Sequence, residues 1–302
     1  MKTNFPSRMA ATLLLASAAF LAPLPAGAAG PQTFPTAEAA MEAFGRAILD
    51  NDEAAKRAIL GSDFRKAIPE QGDEARYRFI EAWVRSHRIE ADGERAARIA
   101  VGDKGWTLPI PLVKADTGWR FDLKAGEREM KVRRIGRNEL AVIQVMQAYV
   151  DAQREYAQVD RDGNGIPEYA RQITSTPGRK DGLYWPAAAG DPSPLGRRFA
   201  DAAADTGRRP AGTFHGYRYR ILAAQGPAAA GGARDYVVAD RMTGGFALIA
   251  WPATWGETGI MTFIINNDGI VYERNLGPDS ARAVERIRAY NPDGMWRRTD
   301  NP

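Results

Sequence analysis

The densest gathering of oxygen-bearing side chains in this sequence is Asp160-Arg161-Asp162-Gly163-Asn164-Gly165-Ile166-Pro167-Glu168. Donors at the first, third and fifth places, glycine at the sixth and an acid at the ninth match the opening of a calcium loop, in which hard oxygens surround a hard cation. On that reading Asp160, Asp162, Asn164 and Glu168 offer side-chain oxygens, and Ile166 offers its carbonyl. The twelfth place holds Arg171, where such a loop wants a bidentate glutamate. Asp and Asn also build glycine turns without metal, by bonding their own backbone. The spacing therefore supports two readings, a bare turn or a weak calcium site. Calcium is the one cofactor the sequence offers, and none is otherwise expected.

A second segment with recognition chemistry follows. Thr176 to Gly196 is rich in Gly and Pro and contains Asp181-Gly182-Leu183-Tyr184-Trp185-Pro186. A stretch of this length with little periodicity is unusual in a compact domain unless it has a role or is disordered. The aromatic pair argues for order. Asp181, Tyr184 and Trp185 thus mark either a loop packed across a sheet or a recognition surface.

Other chemistries lack their residues. The chain has no cysteine, which removes disulfides, thiolate metal sites and a cysteine nucleophile. Its two histidines, His87 and His215, are too few for a histidine-rich metal site. His87 is expected on the polar side of a helix, and His215 at the start of a strand. No G-x-S-x-G elbow, phosphate loop, G-x-G-x-x-G after a strand or H-E-x-x-H occurs. No catalytic residue is assigned. Lys and Arg number 41 against 37 Asp and Glu, close to balance. The basic run Arg128, Lys131, Arg133, Arg134, Arg137 is interleaved with Glu127 and Glu129, so it reads as a solvated linker and helix start. It is not the concentrated footprint that nucleic acid requires.

The elements that would hold these segments follow from periodicity. Thr36 is a natural helix cap, and Met41, Phe44, Ala47 and Ile48 give one apolar face. A second short helix carries Ala55, Ile59 and Leu60 and stops at Gly61. A third, about Asp73 to Arg88, sets Phe79, Ile80, Trp83 and Val84 on one side. The period then changes to short strands, Ala97 to Val101, Trp106 to Val113 and Gly118 to Leu123, with Pro109 and Pro111 forcing an edge or a bulge. Gly136-Arg137-Asn138 opens a long helix on which Val142, Met146, Tyr149, Gln153 and Tyr156 recur on one stripe. The remainder reads as antiparallel sheet. Tyr217, Tyr219 and Ile221 alternate with arginines on a wet face. Phe246 to Trp251 is a central strand, and Asn266-Asn267-Asp268-Gly269 marks a hairpin. A last helix spans Asp279 to Tyr290.

The expected class is α+β: N-terminal helices on a curved antiparallel sheet, then a long helix with a C-terminal antiparallel sheet. Lys2 and Arg8 precede an apolar run from Met9 to Leu24, shorter than the roughly 20 residues a membrane span needs, and Ala26-Gly27-Ala28 fits a cleavage site. Residues 1–28 are therefore expected to be a signal peptide, 29–125 a cone-like domain, 126–136 a linker, and 137–302 a second α+β domain. After cleavage no membrane span is expected, and the destination is periplasmic or secreted.

Three resemblances add to this. The order "EAFGRAILDNDEAAKRAIL … GWTLPIPLVKADTGWRFD" is similar to the cone-shaped nuclear-transport-factor-2-like superfamily, which implies a helix-covered curved sheet able to enclose a ligand. The phrases "QAYVDAQREYAQVDRDGNGIPEYA", "GYRYRI" and "GIMTFIINNDGIVYER" resemble the headgroup of type IV pilins and pseudopilins. Their processing signal is missing here, which argues against filament assembly. Over almost the whole chain beyond residue 28, "RRIGRNELAVIQVMQAYVDAQREYA", "STPGRKDGLYWPA", Phe214-His215-Gly216-Tyr217, "RILAAQGP" and "GGFALIAWPATWGETGIMTFIINNDGIVYERNLGPD" resemble an exported bacterial family of unknown function, domain of unknown function 2950. That resemblance implies no activity. The expectation is a non-catalytic envelope protein acting through binding surfaces on an unidentified envelope partner. The alternative is a small-molecule binder or enzyme using the cavity of the N-terminal cone or the aromatic loop near Tyr184.

Overall fold

The computed structural model describes residues 31–70, 72–186, 191–203 and 212–300. The segment expected to be a signal peptide lies outside them, as does the middle of the loop between Thr176 and Gly196. The chain divides into two units, Met1–Leu123 and Lys124–Pro302. Helices and antiparallel sheets make it α+β, with one long helix between the two main sheets.

In the first unit α1 spans Ala37–Leu49, and the Thr36 hydroxyl accepts from the Ala39 amide at 3.1 Å. Asp52 caps α2 (Glu53–Leu60) through the amides of Ala54 and Ala55. Each cap satisfies donors that the first turn leaves open. A short α3 (Phe64–Ala67) leads to α4 (Asp73–Arg85). This helix stops before His87, which opens strand β1 (His87–Ala91) and stacks on Trp83 with ring centroids 4.4 Å apart. His87 is thus a strand residue, not a helical one. The sheet continues with β2 (Ala96–Val101), β3 (Trp106–Thr107), β4 (Leu112–Ala115) and β5 (Gly118–Phe121), in the order β1-β2-β4-β5 with β3 also on β2. Pro109 and Pro111 cut the expected single strand into β3 and β4, because neither ring nitrogen can donate to a ladder. The helices meet the sheet through packed rings. Phe44 lies 5.3 Å from Phe121 and 6.3 Å from Phe79, and Phe79 lies 5.6 Å from Trp83. These side chains belong to the buried core shared by helices and sheet.

Helix α5 runs Leu123–Tyr156, 34 residues. It begins well before Gly136, so residues 126–136 are helical and not a linker. The basic run explains this. Glu129 and Arg133 pair at 2.8 Å one turn apart, and Lys131 and Arg134 both engage Glu257. Next to them Asn138 donates to the Thr258 carbonyl at 2.8 Å, and Glu139 Oε1 accepts from the amides of Ile260 and Met261 at 2.8 and 2.9 Å. Tertiary partners thus hold a stretch that has no apolar stripe of its own.

After α5 come β6 (Gln172–Thr174) and β7 (Gly182–Tyr184), a parallel pair, and α6 (Arg197–Ala203). The main sheet is built from β8 (Tyr217–Leu222), β13 (Ala247–Pro252), β14 (Met261–Asn266), β15 (Tyr272–Asn275) and β16 (Arg297–Arg298), in the order β16-β15-β14-β13-β8. Between β8 and β13 lie two small ribbons, β9 (Ala224–Gln225) with β10 (Arg234–Asp235) and β11 (Val237–Val238) with β12 (Arg241–Met242). Strand β13 sits between two partners with Leu248, Ile249 and Ala250 fully buried, as its continuous apolar run requires. The hairpin turn is closed by the Asn266 side chain on the Asp268 amide and by Gly269 at φ 77°. Helix α7 (Ser280–Glu285) is shorter than expected. It covers the face expected to be wet. Arg220 turns to it and donates to the carbonyls of Val284 and Ile287 at 2.8 and 2.7 Å, which satisfies helix-end acceptors. On the opposite face of β8 the Tyr217 hydroxyl donates to the Met261 carbonyl at 2.9 Å and lies 3.3 Å from Glu139 of α5.

Candidate functional site

The second unit gathers its polar chemistry where α5 ends. One buried amide sets the geometry. Gln153, fully buried, accepts from the Ala170 amide at 2.8 Å and donates to the Ala170 carbonyl at 2.9 Å. It also donates to the Tyr149 hydroxyl at 2.9 Å. A side chain thus pairs with backbone much as a second strand would, and it fixes the chain that returns from the Asp160 loop.

That loop is an Asx-rich turn. The Asp160 carboxylate accepts from the amides of Gly163, Asn164 and Gly165 at 2.9, 3.1 and 2.7 Å. These bonds, that from Gly165 foremost, hold its carboxyl below the usual aspartate range. Asp162 accepts from the Asn164 amide at 3.3 Å, and Asn164 accepts from the Ile166 amide at 2.8 Å. Gly163 and Gly165 stand at φ 73° and 79°, where a side chain would be strained. Asp160, Asp162 and Asn164 therefore share one turn, and Ile166 sits half out of it, 40% exposed. Glu168 lies further on and lines a cleft together with Asp162. Among the described residues, no three His, Asp or Glu side chains come together as a metal-ligand group.

The aromatic segment packs onto this turn. The Arg161 guanidinium lies over the Tyr156 ring at 4.7 Å and over the Trp185 ring at 5.0 Å. Cations sit well on aromatic faces because the ring quadrupole is negative there. Trp185 is 5% exposed, so its ring packs within the fold. Its indole N–H donates to the Asp191 carbonyl at 3.3 Å, and the Tyr156 hydroxyl donates to the Lys180 carbonyl at 2.8 Å. Burial pushes the Tyr156 phenol up to about 12. Tyr184 is half-buried at the end of β7, paired with Thr174. Asp181 closes its own loop, accepting from the Thr176 amide at 2.7 Å and the Thr176 hydroxyl at 2.8 Å. Burial pushes its carboxyl up, but these bonds outweigh that and leave it lowered.

Between these segments lies a cleft of about 500 Å³. Its carboxylates are Asp162, Glu168, Asp181 and Asp240, and its guanidiniums are Arg171 and Arg241. Tyr156 and Tyr169 supply aromatic wall. Arg171 is held by Asp240, at 2.5 Å to the carboxylate and 2.8 Å to the carbonyl. Burial raises the Glu168 carboxyl, the Asp162 carboxylate raises it further, and Arg241 and Arg171 oppose both. A perturbed carboxyl in a cleft is a recurring mark of a working site. The turn that carries Asp240 is also strained: Ala239 and Asp240 stand at φ 49° and 64° without being glycine.

The sequence pointed to Asp160–Glu168 and to Asp181 but gave no sign that Tyr169, Arg171 and the Ala239–Arg241 turn join them. Only Arg171 stood out, as the wrong ligand at the twelfth calcium position. His87 and His215 take no part in the cleft. A family profile described as protein of unknown function (DUF2950) matches residues 31–299. No curated protein and no solved structure matches the chain.

Proposed function

We propose that this chain, which belongs to the DUF2950 family of proteins of unknown function, is an exported, non-catalytic binding protein whose second unit holds a small polar ligand bearing a cationic amine or guanidinium. The observation that carries this reading is the cleft itself. Four carboxylates face two guanidiniums there, and Asp240 already engages one of the latter. The surplus is negative, and like charges lining one cleft attract a cation together. Half-buried Tyr169 adds an aromatic face suited to the same charge.

Calorimetric titration with spermidine, arginine amide and a lysine dipeptide tests this. The expected result is saturable binding that weakens about tenfold, the loss of one charge-assisted contact of about 1.4 kcal/mol, in Glu168→Gln and again at high salt. Absence of heat from every cationic probe at millimolar concentration would refute it. Export is tested separately, by mass spectrometry of the protein's N-terminus recovered from an envelope fraction. Cleavage after Ala28 supports the reading, and an intact Met1 opposes it.

A further inference from the structure

Helix α4 carries a face that the rest of the first unit does not cover. Trp83 points inward at 4% exposed, while Tyr77 and Val84 stand 59% and 73% exposed. Half-buried Ile80 lies between them at helical spacing, so the three form one apolar stripe. Beside the stripe, on one flank, run Glu74, Arg78, Glu81 and Arg85. Their signs alternate. Within the helix Arg78 reaches Glu74 at 3.1 Å and Arg85 reaches Glu81 at 3.0 Å, and Arg85 also lies 3.8 Å from Asp103.

This order has a property that one helix alone does not use. Turned end for end, the series inverts in sign: Glu74 falls opposite Arg85, and Arg78 opposite Glu81. In an antiparallel pair related by a two-fold axis, a flank faces the same flank of its mate, because an isologous contact uses the same patch on both sides. Two copies of α4 laid antiparallel therefore match all four charges across the contact and bury Tyr77, Ile80 and Val84 between them.

We propose that α4 is a homotypic docking face, covered by the α4 of a second copy of this chain. The stripe supplies the attraction, and the charges fix direction and register, since exposed ion pairs add little affinity. A helix of 13 residues is about 20 Å long, so the buried area falls below the 1,200–2,000 Å² of a stable interface. The dimer is accordingly weak and concentration-dependent. This inference is independent of the cleft.

Sedimentation of the full chain from about 10 µM to about 1 mM tests it, a range that brackets weak association. The expected result is a mass that rises toward the dimer at the upper end. Val84→Asp and Glu81→Arg are expected to shift the midpoint upward by at least about tenfold with unchanged circular dichroism. The double change Arg78→Glu with Glu81→Arg restores opposite signs across the contact and is expected to recover dimerisation. A monomer throughout the range, whether because another molecule or the chain's own second unit covers the face, would overturn the proposal. So would a dimer that Val84→Asp and Glu81→Arg leave intact, or a double variant no better than Glu81→Arg alone.

Discussion

Replacing Gln153 by leucine asks whether one buried amide anchors the floor of the cleft. The wild-type side chain makes two hydrogen bonds to Ala170 and one to Tyr149. Ala170 is 1% exposed, so water cannot take over its N–H and C=O. Each stranded backbone group costs about 1–3 kcal/mol. The Tyr149 hydroxyl keeps a long bond of 3.4 Å to the Ala247 carbonyl and loses less. Leucine matches the volume and offsets about 1 kcal/mol through apolar burial. The net loss is about 3 kcal/mol, which in a unit of this size lowers Tm by about 6–12 °C. Scanning calorimetry reads the second unit's transition, and hydrogen exchange at the Ala170 amide reads the local effect. A second variant, Tyr149→Phe, completes a double-mutant cycle, in which coupling of about 1 kcal/mol is expected for groups in contact. A loss below about 1 kcal/mol, with the Ala170 amide still protected, would refute the reasoning. It would mean that the return of the chain from the Asp160 loop is fixed by the sheet and not by this side chain.

In the first unit, a methyl at Gly45 would lie 2.4 Å from the Trp83 ring, so Gly45→Ala is expected to cost about 1–3 kcal/mol by overpacking, measured by urea denaturation. Glu168 has a raised carboxyl pKa, so its contribution to stability is full below the unfolded value and is lost as pH rises through the raised folded value. Melting curves of Glu168→Gln against wild type across that window are expected to show the variant free of this loss, and cation binding to the wild type is expected to weaken as pH falls through the same window. Asp160 has the opposite sign: its depressed carboxyl stabilises the loop above the unfolded value and stops doing so as pH falls through the folded one, which the protection of the Gly165 amide should report. Because the loop's own amides hold that carboxylate, Tm in millimolar calcium is expected to equal Tm in chelator, and a rise that Asp162→Ala removes would assign the ion instead.

Local features were legible in the residues alone. Thr36 and the Asp160 turn close bonds within a few positions, so their partners are fixed by the chain itself. The hairpin at Asn266 to Gly269 and the two-sided burial of Phe246 to Ala250 were readable for the same reason, one from turn chemistry and the other from an unbroken apolar run. The α+β class follows from the change of period along the chain.

Long-range partners decided the rest. Gln153 sits in an apolar stripe, and its sequence neighbours give no reason for an amide there; the reason is Ala170, seventeen residues on, across a loop. The basic run before Gly136 reads as a linker until Glu257 is placed beside Lys131 and Arg134. Arg220 looks solvated in an alternating strand, and only α7, more than sixty residues later, turns it into a helix cap. Trp185 looks like a recognition aromatic until Arg161 is stacked on its buried ring. The cleft is the extreme case. It joins the stretch from Tyr156 to Asp181 to the distant Ala239–Arg241 turn, and no period or spacing in the sequence announces that meeting. Sequence by itself determined the bonds that close over a few residues; the tertiary structure alone decided which buried polar groups meet, because each must find a partner wherever packing brings one within reach.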